Sequence, residues 1–247
     1  MADMAAVWQA RTLLRTAKSG VLATSAGGQP FAALMTPACA PDLSVLLLLS
    51  GLSEHTRHLR DDPRCALMVA GDALDLNPQT APRLTVLGRA QPEPDPALKA
   101  RWIARHPYAG FYAGLADFRL VRVMLTGGNF IGGFASAHRL TQAELTPDSA
   151  AVAAVAAAEA DILAEANGHG EALDRIAGSG NGWRMTAADV DGCDLTLGEE
   201  VRRVAWPTPV SGADGVRAEL ARLGEGARST MTTSLPTRSG GFAGGSR

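Results

Sequence analysis

Five consecutive aliphatic residues, Val45-Leu46-Leu47-Leu48-Leu49, constrain this chain more than any other stretch. A run without polar alternation is buried on both sides, and its brevity favours a strand over a helix. The Ala40-Pro41-Asp42 turn separates residues 33–37 from residues 43–50, which predicts a hairpin. Ser53 is placed to cap a short helix over residues 54–60 that carries His55, Thr56, Arg57 and His58. Asp62-Pro63 stops that helix, because a residue before proline is kept out of the right-handed helical region. Residues 65–70 resume as a strand. A helix start beside strand ends offers free backbone N–H groups, a natural seat for an anionic cofactor group.

The flanking sequence extends this pattern. Residues 5–18 form an amphipathic helix with Val7, Trp8, Leu13 and Leu14 near one face. Strands are expected over residues 20–25, 30–37, 83–90 and 118–125, with a helix over 96–105 capped by Asp95. Residues 126–133 carry four glycines and read as a strand turn or bulge, since they do not match the spacing of a dinucleotide loop. Short strands with few interleaved helices indicate a small barrel, not βαβ units. After Thr146-Pro147 the composition shifts to alanine, predicting helices over 148–166 and 170–177. Three antiparallel strands, 183–187, 195–197 and 201–206, precede a last helix over 213–223. The expected organisation is α+β. A barrel domain spans residues 1–146, a small helix-plus-antiparallel-strand domain spans 147–228, and a disordered tail spans 229–247.

Charge and cysteine usage narrow the chemistry. A net charge of −2 gives no general attraction to nucleic acid or anionic membrane. The longest apolar runs fall short of the ~18–20 residues needed to span a bilayer. Cys39, Cys65 and Cys193 are scattered and odd in number, so neither a disulfide framework nor a zinc site is indicated, and a reducing cytoplasm is expected. No signal peptide is expected over the first ten residues. No nucleophile elbow, Walker loop or paired metal-ligand spacing appears, and no catalytic residue is assigned. His55 and His58 share a helix face, but zinc needs at least one further ligand. Arg83 and Arg89 read equally as surface charges, and Tyr108, Phe111 and Tyr112 as core or as a stacking wall.

The order strand–turn–strand–SEHTRHLRDDPR–strand, followed by RLTVLGRA, resembles the pyridoxamine 5′-phosphate oxidase-related split barrels. RHPYAGFYAGLADFRLVRV, GGFASA and the later segment EADILAEANGHGEALDRI are similar to the haem-utilisation (HugZ-type) branch with its appended α/β domain. The resemblance implies a six-stranded split β-barrel that forms a homodimer, with haem or FMN at the subunit interface; the charge balance and the short apolar runs make neither nucleic acid nor membrane an expected partner. By position, Met35 and Thr36 would line a flavin ring. Ser50, His55, Thr56 and Arg57 would approach its phosphate, and Arg83 would make a polar flavin contact. Two departures stand out: Ala33 replaces the oxidases' strand arginine, and Glu54-His55 replaces their Arg-Lys pair. Each lost charge-assisted hydrogen bond to phosphate is worth roughly 1.5–3 kcal/mol. Haem would need an axial donor, for which His138 and His169 are the candidates implied by the resemblance. Three functions follow as expectations: binding and oxidative degradation or handling of haem, FMN-dependent oxidoreduction, or a non-catalytic partner-binding role.

Overall fold

The computed structural model describes residues 3–73, 75–133 and 136–232, with side chains to residue 225. Helix α1 (Met4–Thr16) is capped by Asp3, whose carboxylate accepts from the Ala5 N–H. Strands β1 (Gly20–Ala26), β2 (Gln29–Met35), β3 (Ala38–Cys39) and β4 (Val45–Ser50) follow, then α2 (Glu54–Asp61), β5 (Arg64–Ala70) and β6 (Arg83–Pro92). Next come α3 (Pro96–Arg105), the single turn α4 (Gly110–Ala113), β7 (Phe118–Gly133), β8 (Ser136–Thr141) and α5 (Gln142–Leu145). The remainder comprises α6 (Ser149–Asn167), α7 (Gly170–Ala177), β9 (Arg184–Asp189), β10 (Gly192–Leu197), β11 (Glu200–Ala205) and α8 (Ala213–Thr232).

The architecture is mixed α+β. A large antiparallel sheet runs in the order β2-β1-β5-β6-β7-β4-β3, with β8 added to β7, and a separate sheet runs β11-β10-β9. Eight strands stand in the large sheet where six were expected, among them the two-residue β3. The aliphatic run lies on β4 as expected and is buried on both sides. Val45, Leu47 and Leu49 pack into the main barrel core with Leu22, Leu67 and Val86. Leu46 points the other way, into a second cluster with Trp102, Ala109 and Leu120. Full burial of one such leucine stabilises by about 1.5–3 kcal/mol.

Three expectations change in the details. The Pro41-Asp42 turn joins β3 to β4, whereas residues 33–35 belong to β2 and pair with β1. The glycine-rich stretch does not break the strand; β7 continues through it to residue 133, and β8 returns along it. A register shift at Leu87/Gly88, where β6 faces β7, supplies the bulge. Gly88 is required there, because a Cβ would sit 2.5 Å from Val123 Cγ1 and 2.7 Å from the Met124 carbonyl. Finally, α8 runs to Thr232, into the stretch expected to be tail; residues 233–247 lie outside the described residues. Among the described residues, no helix is long and apolar enough to cross a membrane.

The second sheet carries its own core. Trp183, Met185, Leu195 and Trp206 pack against Val155 and Ile162 of α6 and Val216 of α8. Asp148 caps α6 by accepting from the Ala151 N–H at 2.8 Å.

Candidate functional site

Register decides which side chains of the large sheet share a face, because side chains alternate and paired residues point the same way. Leu22 pairs with Ala33 and Leu67, and all three turn toward the barrel interior. The alternate row points outward: Leu34 pairs with Val21, Val21 with Met68, and Met68 with Thr85. The next row is Ala32, Ala23, Ala66 and Leu87. Leu34 is 73% exposed, Leu87 47% and Met68 40%. Alanines between them flatten the surface. Neighbouring apolar side chains on one open face mark an interaction surface rather than scattered exposure. Arg89 lies at one end of this face, where its strand neighbour Arg64 is engaged by Asp62 at 2.6 Å, and Arg83 lies at the other. The result is a flat apolar surface with basic ends.

The sequence candidates distribute around this face instead of converging on it. Met35 is paired with Gly20 and packs against the barrel core. The Thr36 carbonyl accepts from the Trp102 indole at 3.0 Å. Arg83 donates from Nη1 to the carbonyls of Gln79 (2.9 Å) and Ala81 (3.2 Å).

Around α2 the candidate phosphate end is already occupied by acidic partners. Ser50 Oγ donates to Asp117 Oδ2 at 2.8 Å. Arg57, an exposed residue, pairs with Glu54 at 3.1 Å and donates to the Leu52 carbonyl at 3.1 Å. Thr56 Oγ1 donates to the Ser50 carbonyl at 2.7 Å, tying the helix start to the end of β4. On the other side of α2, His58 Nδ1 lies 3.0 Å from Thr24 Oγ1, and its ring meets Phe31 edge-on at 5.2 Å. Burial, and secondarily the nearby His58, hold His55 below the usual imidazole range. A phosphate dianion placed here would meet Glu54 and Asp117 and a half-buried imidazole whose charged form burial disfavours. These residues do not fit a flavin phosphate.

The two candidate axial histidines are not brought together. His138 on β8 pairs with Phe130, whose side chain is fully buried, so both point away from the outer face to which Arg139 turns. Its Nε2 lies 3.1 Å from Ser136 Oγ. His169 precedes α7 and lines a groove with Ile162, Leu173 and Arg217, between the helices of the second sheet. Among the described residues no cluster of three metal-ligating side chains forms.

Sequence reasoning missed Leu34, Met68 and Leu87. β2 and β5 are apolar at consecutive positions, so alternation could not separate an inner row from an outer one. Strand pairing was the information required.

A family model described as pyridoxamine 5′-phosphate oxidase matches residues 8–132. The non-canonical heme oxygenase HOZ, chloroplastic, of Arabidopsis thaliana is 30% identical over 142 residues, which are 55% of this chain and 43% of the plant protein. The chain therefore spans less than half the length of that curated relative. Among solved structures, the protein Atu2129, of unknown function, from Agrobacterium tumefaciens str. C58 superimposes with a TM-score of 0.73 and 30% identity. That match covers 90% of this chain and 96% of Atu2129. A heme binding protein from Mycobacterium smegmatis shares the fold, with a TM-score of 0.54 and 24% identity over 93% of this chain and all of the other. With its barrel-forming residues 8–132 matched, the chain belongs to the pyridoxamine 5′-phosphate oxidase family.

Proposed function

We propose that this protein is a haem-handling split barrel that works as a homodimer, with the outer face of β2, β1, β5 and β6 as the surface that pairs and shelters the ligand. One observation carries the reading: the face is apolar where Leu34, Val21, Met68 and Leu87 adjoin, and basic at its ends. A tetrapyrrole needs that combination, an apolar surface for its ring and guanidinium partners for its propionates. Arg83 is the propionate partner best placed on this face, with Arg89 at the opposite end. Bound haem would supply redox chemistry at its iron, while the protein excludes water and fixes orientation. The plant relative named as a heme oxygenase supports haem as the ligand class. The acidic partners of Ser50 and Arg57 weigh against FMN.

Hemin titration followed by sedimentation tests this reading. One haem per subunit on a dimer is expected, with both dimer and haem binding lost in Leu34→Arg. A monomer that binds hemin as tightly as the wild type would overturn it.

A further inference from the structure

The barrel has an open mouth on the side of α2 away from β1 and β2. Its cavity is about 920 Å³, large enough for a ligand of many tens of atoms. The floor is apolar: Leu49, Leu59 and Leu120 are each less than 10% exposed and line it beside Phe118. The rim carries Arg60, Lys99 and Arg119. Among the described residues none of these three cations forms an ion pair or hydrogen bond, whereas both acids of the rim are already engaged. Glu93 pairs with Arg122 at 3.2 Å and accepts from the Asp95 N–H at 3.0 Å. Asp95 caps α3 by accepting from the Ala97 N–H at 2.8 Å. The mouth is therefore apolar inside and effectively positive at its edge.

We propose that this mouth binds an amphipathic organic anion, with its apolar body on the Leu49–Leu59–Phe118 floor and its acidic group between Arg60, Lys99 and Arg119. Only Thr56 is common to this cavity and the candidate cofactor residues. The helix divides the two regions: Thr56, Leu59 and Arg60 face the mouth, while His58 faces Thr24 and Phe31. The site is separate from the outer face, so it stands whether or not that face takes haem.

The test uses the full chain and two fluorescent probes of one size. 8-Anilino-1-naphthalenesulfonate carries the anionic group, and N-phenyl-1-naphthylamine lacks it. Saturable binding of the sulfonate is expected, weakened about tenfold in the double variant Arg60→Gln/Arg119→Gln, with the neutral probe shifted by less than about twofold. Both arginines are exposed, so folding is retained. Leu34→Gln, on the outer face, should leave sulfonate binding unchanged. The proposal is overturned if the double variant binds the sulfonate as tightly as the wild type. It is equally overturned if both probes weaken alike, or if Leu34→Gln alone abolishes binding.

Discussion

Arg15 on α1 donates from Nε to Asp191 Oδ2 at 2.6 Å, although 176 positions separate the two residues in sequence. Asp191 lies in the β9–β10 turn, so this pair fastens the barrel's first helix to the second sheet. Arg11 also pairs with Asp191. Beside it, Asp189 receives Arg203 at 2.6 Å, Arg15 at 3.1 Å and Arg101 at 3.2 Å. Arg101 reaches on to Glu159 of α6 at 2.6 Å. The Arg15, Asp189 and Asp191 side chains are almost wholly removed from solvent.

Removing Asp191 strips the buried Arg11 guanidinium of its carboxylate partner and leaves Arg15 with Asp189 alone in a low-dielectric site. Such a loss costs about 3–5 kcal/mol in buried pairs. Asp191→Ala should therefore lower the free energy of unfolding by about that amount, measured by urea denaturation. A loss below about 1 kcal/mol would show that solvent reaches the network.

Acid should weaken the fold in two stages. Burial drives the His106 imidazole down to about 4, despite the Pro37 carbonyl 3.0 Å from its Nε2. An unfolded histidine titrates near 6.5, so the unfolded state takes up the proton first. Stability is then full above about pH 6.5 and falls toward pH 4, by up to about 3 kcal/mol. For Asp189 burial opposes ionisation, but Arg15 and Arg203 overcome it and hold the carboxyl well below the usual carboxylate range. Its contribution is present above about pH 4 and is lost as the pH falls further. Unfolding measured from pH 7 to pH 3 should show both losses, and His106→Gln should remove the first. A flat profile between pH 6.5 and 4.5 in the wild type contradicts the assignment.

The outer face predicts the behaviour of its own variants. Replacing Leu34 or Met68 by arginine adds a charge to the surface where two barrels would meet, and should convert the proposed dimer to a folded monomer. Sedimentation gives the mass, and far-UV circular dichroism reports the fold. An unchanged dimer moves the pairing surface elsewhere.

Register also predicts how the histidines behave. His138 shares its side with buried Phe130, and His169 belongs to the second sheet's helices. His138→Ala and His169→Ala should each leave the hemin Soret band unshifted. Loss of the band in either variant would place the haem away from the outer face.

The sequence was informative wherever one residue type had a single physical outcome. The aliphatic run of β4 had to be buried on both sides, and Pro63 had to end α2. The glycines of β7 were less legible, because glycine serves a bulged strand as readily as a turn. Nothing local marked the pairing of Arg15 with Asp191, whose partners meet only through the tertiary fold. The same holds for the candidate site. Ser50 and Arg57 suited a phosphate by type and spacing, but Asp117 and Glu54 engage them. The mouth cations Arg60, Lys99 and Arg119 come from three distant segments.

Parallel titration of the full chain with hemin and with FMN is the most direct test of the central claim. The account predicts a saturable Soret shift at one hemin per subunit and no quenching of FMN fluorescence at the same protein concentration. Tight FMN binding without a hemin shift would contradict it and return the barrel to flavin chemistry.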